Sequence, residues 1–155
     1  MQLNLPKYTF RTTSKEGKRS IFDAYRRRWV RLTPEEWVRQ HFVKYLIEEK
    51  HFPASLMAIE KSLRLNQQDF RTDAVVFSTT GIPLLIIECK APEVKINQKT
   101  FDQIVRYNFE LQVDYLIVTN GLSHFCCKID KISGSYEFLK EIPDYSDINL
   151  PYSLS

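Results

Sequence analysis

The sequence is poor in cysteine and contains no long apolar run, and these two features argue against a secreted disulfide-rich protein and a membrane protein. The 155 residues include three cysteines, an odd number, and show no secretory signature, so we expect reduced thiols in a cytoplasmic protein. No apolar stretch approaches the ~20 residues that cross a bilayer. The start, MQLNLPKYTF, lacks a charged region leading into an apolar segment. We therefore expect neither a membrane segment nor a signal peptide.

Several catalytic and binding motifs are missing as well. The glycine-rich GxxxxGK[S/T] loop does not occur, because Gly17 and Lys18 lack the earlier glycine and are followed by Arg19. There is no nucleophile elbow and no Ser-His-Asp order. His124 with Cys126 and Cys127 has the wrong spacing for zinc. The sequence thus gives no sign of a nucleotide-driven motor, a serine hydrolase or a zinc site.

The composition is that of one ordinary globular domain spanning residues 1–155. Hydrophobic residues make up 43% and charged residues 26%, both in the usual soluble range. The net charge of +3 permits an anionic partner without indicating one. Residues 1–30 are largely polar, and we expect an N-terminal arm with one strand at 8–12. The end, 143–155, has few apolar anchors and is predicted to be a surface tail.

The first strong element is a helix. The run Thr33-Pro-Glu-Glu predicts its start, with Thr33 as N-cap, Pro34 at the first position and Glu36 as the reciprocal capping-box partner. The helical spacing of apolar residues ends near Lys50. The remaining pattern predicts a second helix and further strands, and hence an α/β fold with helices packed on a mixed sheet. These elements are a helix at ~98–112 and strands at 56–65, 115–119, 124–129 and 136–142.

A β-hairpin is predicted in the middle of the chain. Apolar runs at 72–78 and 84–90 flank a turn containing Gly81. With the turn centred between Thr80 and Gly81, Asp73 lies opposite Glu88. Lys90 is two residues further along, so it points to the same face as Glu88. The hairpin therefore gathers two carboxylates and one ammonium group at the end of an apolar ribbon.

Two carboxylates a few ångströms apart repel each other unless a cation lies between them. Mg²⁺ or Mn²⁺, which prefer oxygen ligands, would suit Asp73 and Glu88, with the backbone carbonyl of Cys89 as a third ligand. Lys90 would orient or help to deprotonate the attacking water, or hold a phosphate oxygen. The alternative interpretation is a plain ion pair at the end of a strand.

Five segments carry a resemblance to a known family. They are RTD at 71–73, IIECKAP at 86–92, QIVRY at 103–107, TPEEWVRQ at 33–40 and VTNG at 118–121. Together they resemble the PD-(D/E)xK nuclease superfamily, and more narrowly the N-terminal nuclease domain of the motor (R) subunit of type I restriction enzymes. The similarity covers about residues 30–130. Thr72 stands where the superfamily's proline would be. The resemblance implies a restriction-endonuclease-like fold, an α/β architecture with a mixed central β-sheet flanked by helices.

The resemblance also implies roles for single residues. Asp73 and Glu88 would bind Mg²⁺ or Mn²⁺, and Lys90 would assist the water. Gln103 and Tyr107 would lie beside the site and help to place DNA; their i, i+4 spacing independently puts them on one helix face. The superfamily often has a further glutamate near the metal on its first helix. The two candidates for an extra carboxylate are Glu36 and Glu60.

The densest basic and aromatic stretch, residues 26–39, contains Arg39 and leaves two interpretations open. Its arginines either contact phosphate or form a solvated charged face. The expected partners are DNA, other restriction or motor subunits, and a second copy of the chain. The function is then a magnesium-dependent DNA endonuclease, a DNA- or protein-binding module that keeps the nuclease fold, or an interaction domain with a structural ion pair.

Overall fold

The computed structural model describes residues 2–150, which form two β-sheets and three α-helices. The strands are β1 (Thr12–Lys15), β2 (Lys18–Asp23), β3 (Arg28–Arg31), β4 (Met57–Leu65), β5 (Gln68–Phe77), β6 (Pro83–Cys89), β7 (Tyr115–Thr119), β8 (His124–Ile129) and β9 (Tyr136–Phe138). The helices are α1 (Pro34–Glu49), α2 (Gln98–Asn108) and α3 (Tyr145–Ile148), with 3-10 turns at Ala54–Leu56 and Phe109–Leu111.

The larger sheet has six strands in the order β4-β5-β6-β7-β8-β9. Its neighbours are antiparallel except β6 and β7, which are parallel. Phe42 and Leu46 of α1 cover one face, and Phe101 and Ile104 of α2 cover the other. The hairpin β5–β6 is therefore buried on both sides, as its apolar runs predicted. The mixed α/β architecture expected from the sequence is confirmed.

The start of α1 agrees with the sequence in all but one side chain. Thr33 caps the helix, because its Oγ1 accepts a 3.0 Å hydrogen bond from the N–H of Glu36, and Pro34 takes the first position. The carboxylate of Glu36 instead pairs with Arg26 and accepts a hydrogen bond from Gln40. A carboxylate that is only 4% exposed gains more from a cation than from one further backbone N–H.

The N-terminal region is more ordered than the extended arm expected for residues 1–30. The strand predicted at 8–12 is wrong, since β1 begins at Thr12 and pairs with β2, which in turn pairs with β3. A two-residue turn joins β1 to β2, and it depends on Gly17 in the left-handed region at φ +77°. The β2 strand anchors this small sheet through Ile21, which is fully buried.

The C-terminal region also differs from the surface tail predicted for 143–155. Tyr145 and Ile148 of α3 are buried, and the hydroxyl of Tyr145 donates a 2.9 Å hydrogen bond to the carbonyl of Phe77. Residues 151–155 of that predicted tail lie outside the described residues. The strand predicted at 136–142 ends earlier, at Phe138. In the described part of the chain, no helix is both long and apolar enough to span a bilayer.

Candidate functional site

The register of the central hairpin places Asp73 opposite Glu88. The β5–β6 pairing joins Ala74 to Ile87 and Val75 to Ile86, and one further step in that register joins residues 73 and 88. The predicted pairing of the two acids is confirmed. The pairing shifts between Val76 and Phe77, however, so the turn is not centred where the sequence predicted. Asp73 Oδ2 also accepts a 2.7 Å hydrogen bond from the backbone N–H of Cys89. The first acid is thus attached directly to the strand that carries the second.

A third carboxylate lies in the same row of the sheet. In the β4–β5 pairing, Ile59 lies opposite Ala74 and Lys61 opposite Thr72, so Glu60 falls beside Asp73 on the other flank of β5. Glu60 adopts φ +50°, a left-handed conformation that a glutamate rarely takes. Strands β4, β5 and β6 thus each contribute one acid to this row. Glu60 was one of the two extra carboxylates suggested by the sequence.

The charge balance at Glu88 is unfavourable to its ionised form. Burial, and then the negative charge of Asp73, raise the pKa of Glu88 to about 7. Lys90 opposes this shift, with its Nζ 3.7 Å from Glu88 Oε1. Burial also raises the pKa of Asp73, against the lowering effects of the Cys89 N–H, Arg39 and Lys90. The positive charges of Lys90 and Arg39 therefore do not offset the effects of burial and of the mutual repulsion of Asp73 and Glu88.

These side chains remain accessible from solvent. The exposed fractions are 29% for Asp73, 22% for Glu88 and 32% for Lys90. A cavity of about 280 Å³ opens beside Asp73 and Cys89. Larger cavities of about 420 and 410 Å³ lie elsewhere, but no carboxylate side chain lines either. The lining of the 280 Å³ cavity contains the carboxylates of Asp73, Glu60 and Glu36 together with Arg31 and Arg39, whereas Glu88 and Lys90 lie outside it.

Arg39, which the sequence suggested for phosphate contact, is buried among these carboxylates. Its side chain is only 9% exposed, and its Nη1 lies 3.0 Å from Glu60 Oε1 and 4.0 Å from Asp73 Oδ1. Its Nη2 pairs with Glu36. The structure thus gives Arg39 carboxylate partners where the sequence suggested DNA phosphates.

Arg26 extends this ion-pair network to the N-terminal sheet. Its guanidinium lies 2.5 Å from Asp23, 2.8 Å from Glu36 and 3.0 Å from Glu60. Gln40 adds a 3.0 Å hydrogen bond to Glu36. Arg26, one of the arginines expected to contact phosphate or solvent, is thus paired with carboxylates, and Asp23 and Gln40 had not been expected here. The spacings of Glu36 with Arg39 (i, i+3) and with Gln40 (i, i+4) on one helix face are the local signals that indicate part of this network.

Gln103 and Tyr107 both lie on the exposed side of α2. Tyr107 is 48% exposed, and its ring packs 5.5 Å from that of Phe70 in β5. Strand alternation puts Glu88 on the same sheet face as Ile86, which packs against α2. Helix α2, which carries Gln103 and Tyr107, therefore lies on the same side of the sheet as Glu88. The contact of these two residues with DNA stays a prediction.

The donor chemistry of Asp73 and Glu88 fits a magnesium ion. Within residues 2–150, no group of three or more His, Cys, Asp or Glu side chains is arranged to hold a metal. Magnesium, however, commonly takes one or two protein carboxylates and completes its shell with water. Two partly exposed carboxylates with raised pKa values provide such a ligand pair, and a cation would relieve their repulsion.

Comparison with known proteins supports the relationship suggested by the sequence. The family model of the type I restriction enzyme R protein N terminus matches residues 34–143, which is most of the chain. The match includes Asp73, Glu88, Lys90, Gln103 and Tyr107, whereas strands β1 to β3 lie before it. No curated protein matches the chain. The chain therefore belongs to the family of the type I restriction enzyme R protein N terminus.

Proposed function

We propose that this chain is a magnesium-dependent DNA endonuclease domain that hydrolyses phosphodiester bonds. The opposition of Asp73 and Glu88 across the hairpin, with Lys90 3.7 Å from Glu88, carries the proposal. Membership of a restriction-enzyme family supports DNA as the substrate and other restriction or motor subunits as partners.

The hairpin residues would divide the work between binding and proton handling. Asp73 and Glu88 would hold the ion, with the backbone carbonyl of Cys89 as a third oxygen ligand. The bound ion supplies a Lewis acid that polarises the phosphate and stabilises its developing charge. Lys90 carries three N–H donors and no acceptor, so it would orient the attacking water or hold a phosphate oxygen.

Neighbouring groups would fix the position of Asp73. One carboxylate oxygen accepts the Cys89 N–H at 2.7 Å, and the other lies 4.0 Å from Arg39. Arg39 is itself held by Glu60 at 3.0 Å. A carboxylate held on both sides loses little further freedom when it binds an ion, which favours precise placement of the reacting groups.

A DNA- or protein-binding module that keeps the fold without catalysis is the second candidate. The ion-pair network favours it, because Arg26 and Arg39 already neutralise Glu36 and Glu60. Under this alternative the chain would bind its partner equally well with and without a divalent ion.

Cleavage of supercoiled plasmid DNA, with Mg²⁺ or with EDTA, separates the two candidates. We expect cleavage only with the metal, and a loss of at least about 100-fold in Asp73→Asn, Glu88→Gln and Lys90→Ala. Asp69→Asn is the matched control, because Asp69 lies on the same strand, is 63% exposed and pairs with Arg64 at the surface. Equal residual cleavage in the wild type and the hairpin variants would exclude this site as its source. DNA binding without cleavage would favour the second candidate.

A further inference from the structure

The small sheet β1–β3 has two unlike faces. Ile21 and Asp23 of β2 are buried, so their side chains point into the protein. The alternate residues of β2 point outward, and cross-strand pairing gives them partners on β3. Phe22 lies opposite Trp29, and Ser20 lies opposite Arg31. We call this solvent-facing side of β1–β3 the outer face.

An aromatic platform occupies one end of the outer face. The rings of Phe22 and Trp29 are 5.4 Å apart in an edge-to-face arrangement. The guanidinium of Arg11 lies 4.8 Å from the Phe22 ring and 5.4 Å from the Trp29 ring. Trp29 is nevertheless 43% exposed. Its indole is therefore held in a fixed orientation by its neighbours and still offers surface to a ligand.

The charge of this region is strongly positive. Residues 11–31 contain eight Lys or Arg and two acids, so they carry +6, whereas the rest of the chain carries −3. One of the two acids, Asp23, is buried and paired with Arg26. Lys15 and Lys18 face each other at the exposed hairpin end. A basic surface with an exposed aromatic ring has the chemistry of a nucleic-acid contact.

The outer face leads to the candidate active site. Arg31 alternates with Trp29 on β3, and it also lines the 280 Å³ cavity together with Asp73 and Glu60. These strands precede residue 34, where the family match begins. The surface is thus a feature that this chain places beside the matched domain.

We infer that the outer face binds single-stranded DNA and guides it toward the cavity. A base stacks on Trp29, while Arg31, Lys15 and Lys18 contact the phosphates. The exposed indole favours a single strand, because in a duplex the faces of the bases are already covered by their neighbours. The inference that the DNA runs toward the cavity rests on the proposed function, whereas the binding of single-stranded DNA to the outer face does not.

Tryptophan fluorescence provides a direct test, since the chain has only two tryptophans. In Trp37→Phe, Trp29 is the sole reporter. We expect oligo(dT) of about 20 nucleotides to quench it in EDTA at low salt, and quenching to weaken as salt is added. A 20-base-pair duplex should leave the Trp29 signal unchanged.

Anisotropy of the labelled oligonucleotide with variants of the otherwise native chain provides a second readout. We expect Trp29→Ala to weaken binding by about tenfold, Trp29→Phe to restore most of it, and Arg31→Ala to reduce the salt dependence. Lys99→Ala, an exposed position on α2, is the control and should bind as the wild type does.

Three outcomes would overturn the inference. They are no binding of oligo(dT) at low salt, oligo(dT) binding that Trp29→Ala does not weaken or that leaves Trp29 fluorescence unchanged, and duplex binding as tight as single-strand binding. Because these assays contain no metal, they are independent of cleavage. If the chain binds oligo(dT) through Trp29 but never cleaves DNA, this inference is supported and only the proposed nuclease activity is contradicted.

Discussion

The backbone N–H of Cys89 donates a 2.7 Å hydrogen bond to Asp73, and Cys89 is the residue between Glu88 and Lys90. This bond joins the two strands of the hairpin at the point where its acids meet. Asp73 therefore has two roles, as an acceptor for a buried N–H and as half of a carboxylate pair.

Replacing Asp73 should separate these roles. Asp73→Ala leaves the Cys89 N–H without its acceptor, at a cost of about 1–3 kcal/mol. Asp73→Asn keeps an oxygen acceptor, so we expect it to be the more stable variant. Urea unfolding measures the difference. Equal stabilities of the two variants would show that the hydrogen bond contributes nothing.

The stability of the chain should depend on the ionisation of Glu88. Its pKa is raised from 4.5 to about 7 in the fold, so the folded state binds more protons than the unfolded state between these values. The stabilisation is thus complete below about pH 4.5 and is lost as pH rises through about 7. In Glu88→Gln this part of the decline should be absent. The free energy of unfolding of the wild type minus that of the variant should therefore fall by up to about 3 kcal/mol as pH rises. A difference that stays constant from pH 5 to 8 contradicts the assignment.

Magnesium should change the same profile. An ion held by Asp73 and Glu88 favours their charged forms, so the fall in stability above pH 5 should shrink in saturating Mg²⁺. Thermal unfolding at pH 8, with and without Mg²⁺, measures the stabilisation by the ion. We expect Mg²⁺ to stabilise Glu88→Gln less than the wild type. The same response to Mg²⁺ in wild type and variant would place the ion elsewhere.

Arg39 should be far more important for stability than an exposed arginine. Arg39 is 9% exposed and pairs with Glu36, which is 4% exposed, and with Glu60. Arg39→Ala therefore leaves each of these carboxylates with Arg26 as its remaining guanidinium partner. We expect a loss of about 1.5–3 kcal/mol, the cost of a hydrogen bond to a charged group. The matched control is Arg64→Ala, whose pair with Asp69 is solvent-exposed and should cost at most about 1 kcal/mol. Denaturation showing similar losses for both arginines would mean that the buried network contributes little.

The two glycines with the same backbone conformation allow strain and crowding to be separated. Gly81 and Gly121 have φ of +86° and +85°. A Cβ at Gly81 meets nothing within 4 Å, whereas at Gly121 it would lie 2.7 Å from Leu3. Both alanine variants should lose about 1 kcal/mol to backbone strain, and Gly121→Ala about 1 kcal/mol more. Unfolding free energies that rank Gly81→Ala as the worse variant would contradict this.

The hairpin and its acids could be predicted because they depend on local rules. The predicted register holds at the acids, and side-chain alternation then placed Asp73, Glu88 and Lys90 on one face. The pairing shifts between Val76 and Phe77, so the residues next to the turn pair one step out of that register. Glu36 lies three residues before Arg39 on the same helix, so a local rule could have paired them. The other partners, Glu60 and Asp73, could not be predicted, because they depend on how α1 packs across β4 and β5. The strands β1–β3 escaped notice for a different reason. All four residues of β1 are polar and exposed, so the strand has no apolar periodicity to detect.

The central claim is that Asp73 and Glu88 share one divalent ion, and anomalous diffraction from a crystal soaked in Mn²⁺ tests it most directly. We expect a single strong peak within bonding distance of both carboxylates, and its loss in crystals of Asp73→Asn. A fully soaked crystal with no peak there, or with manganese bound only at other residues, would contradict the account.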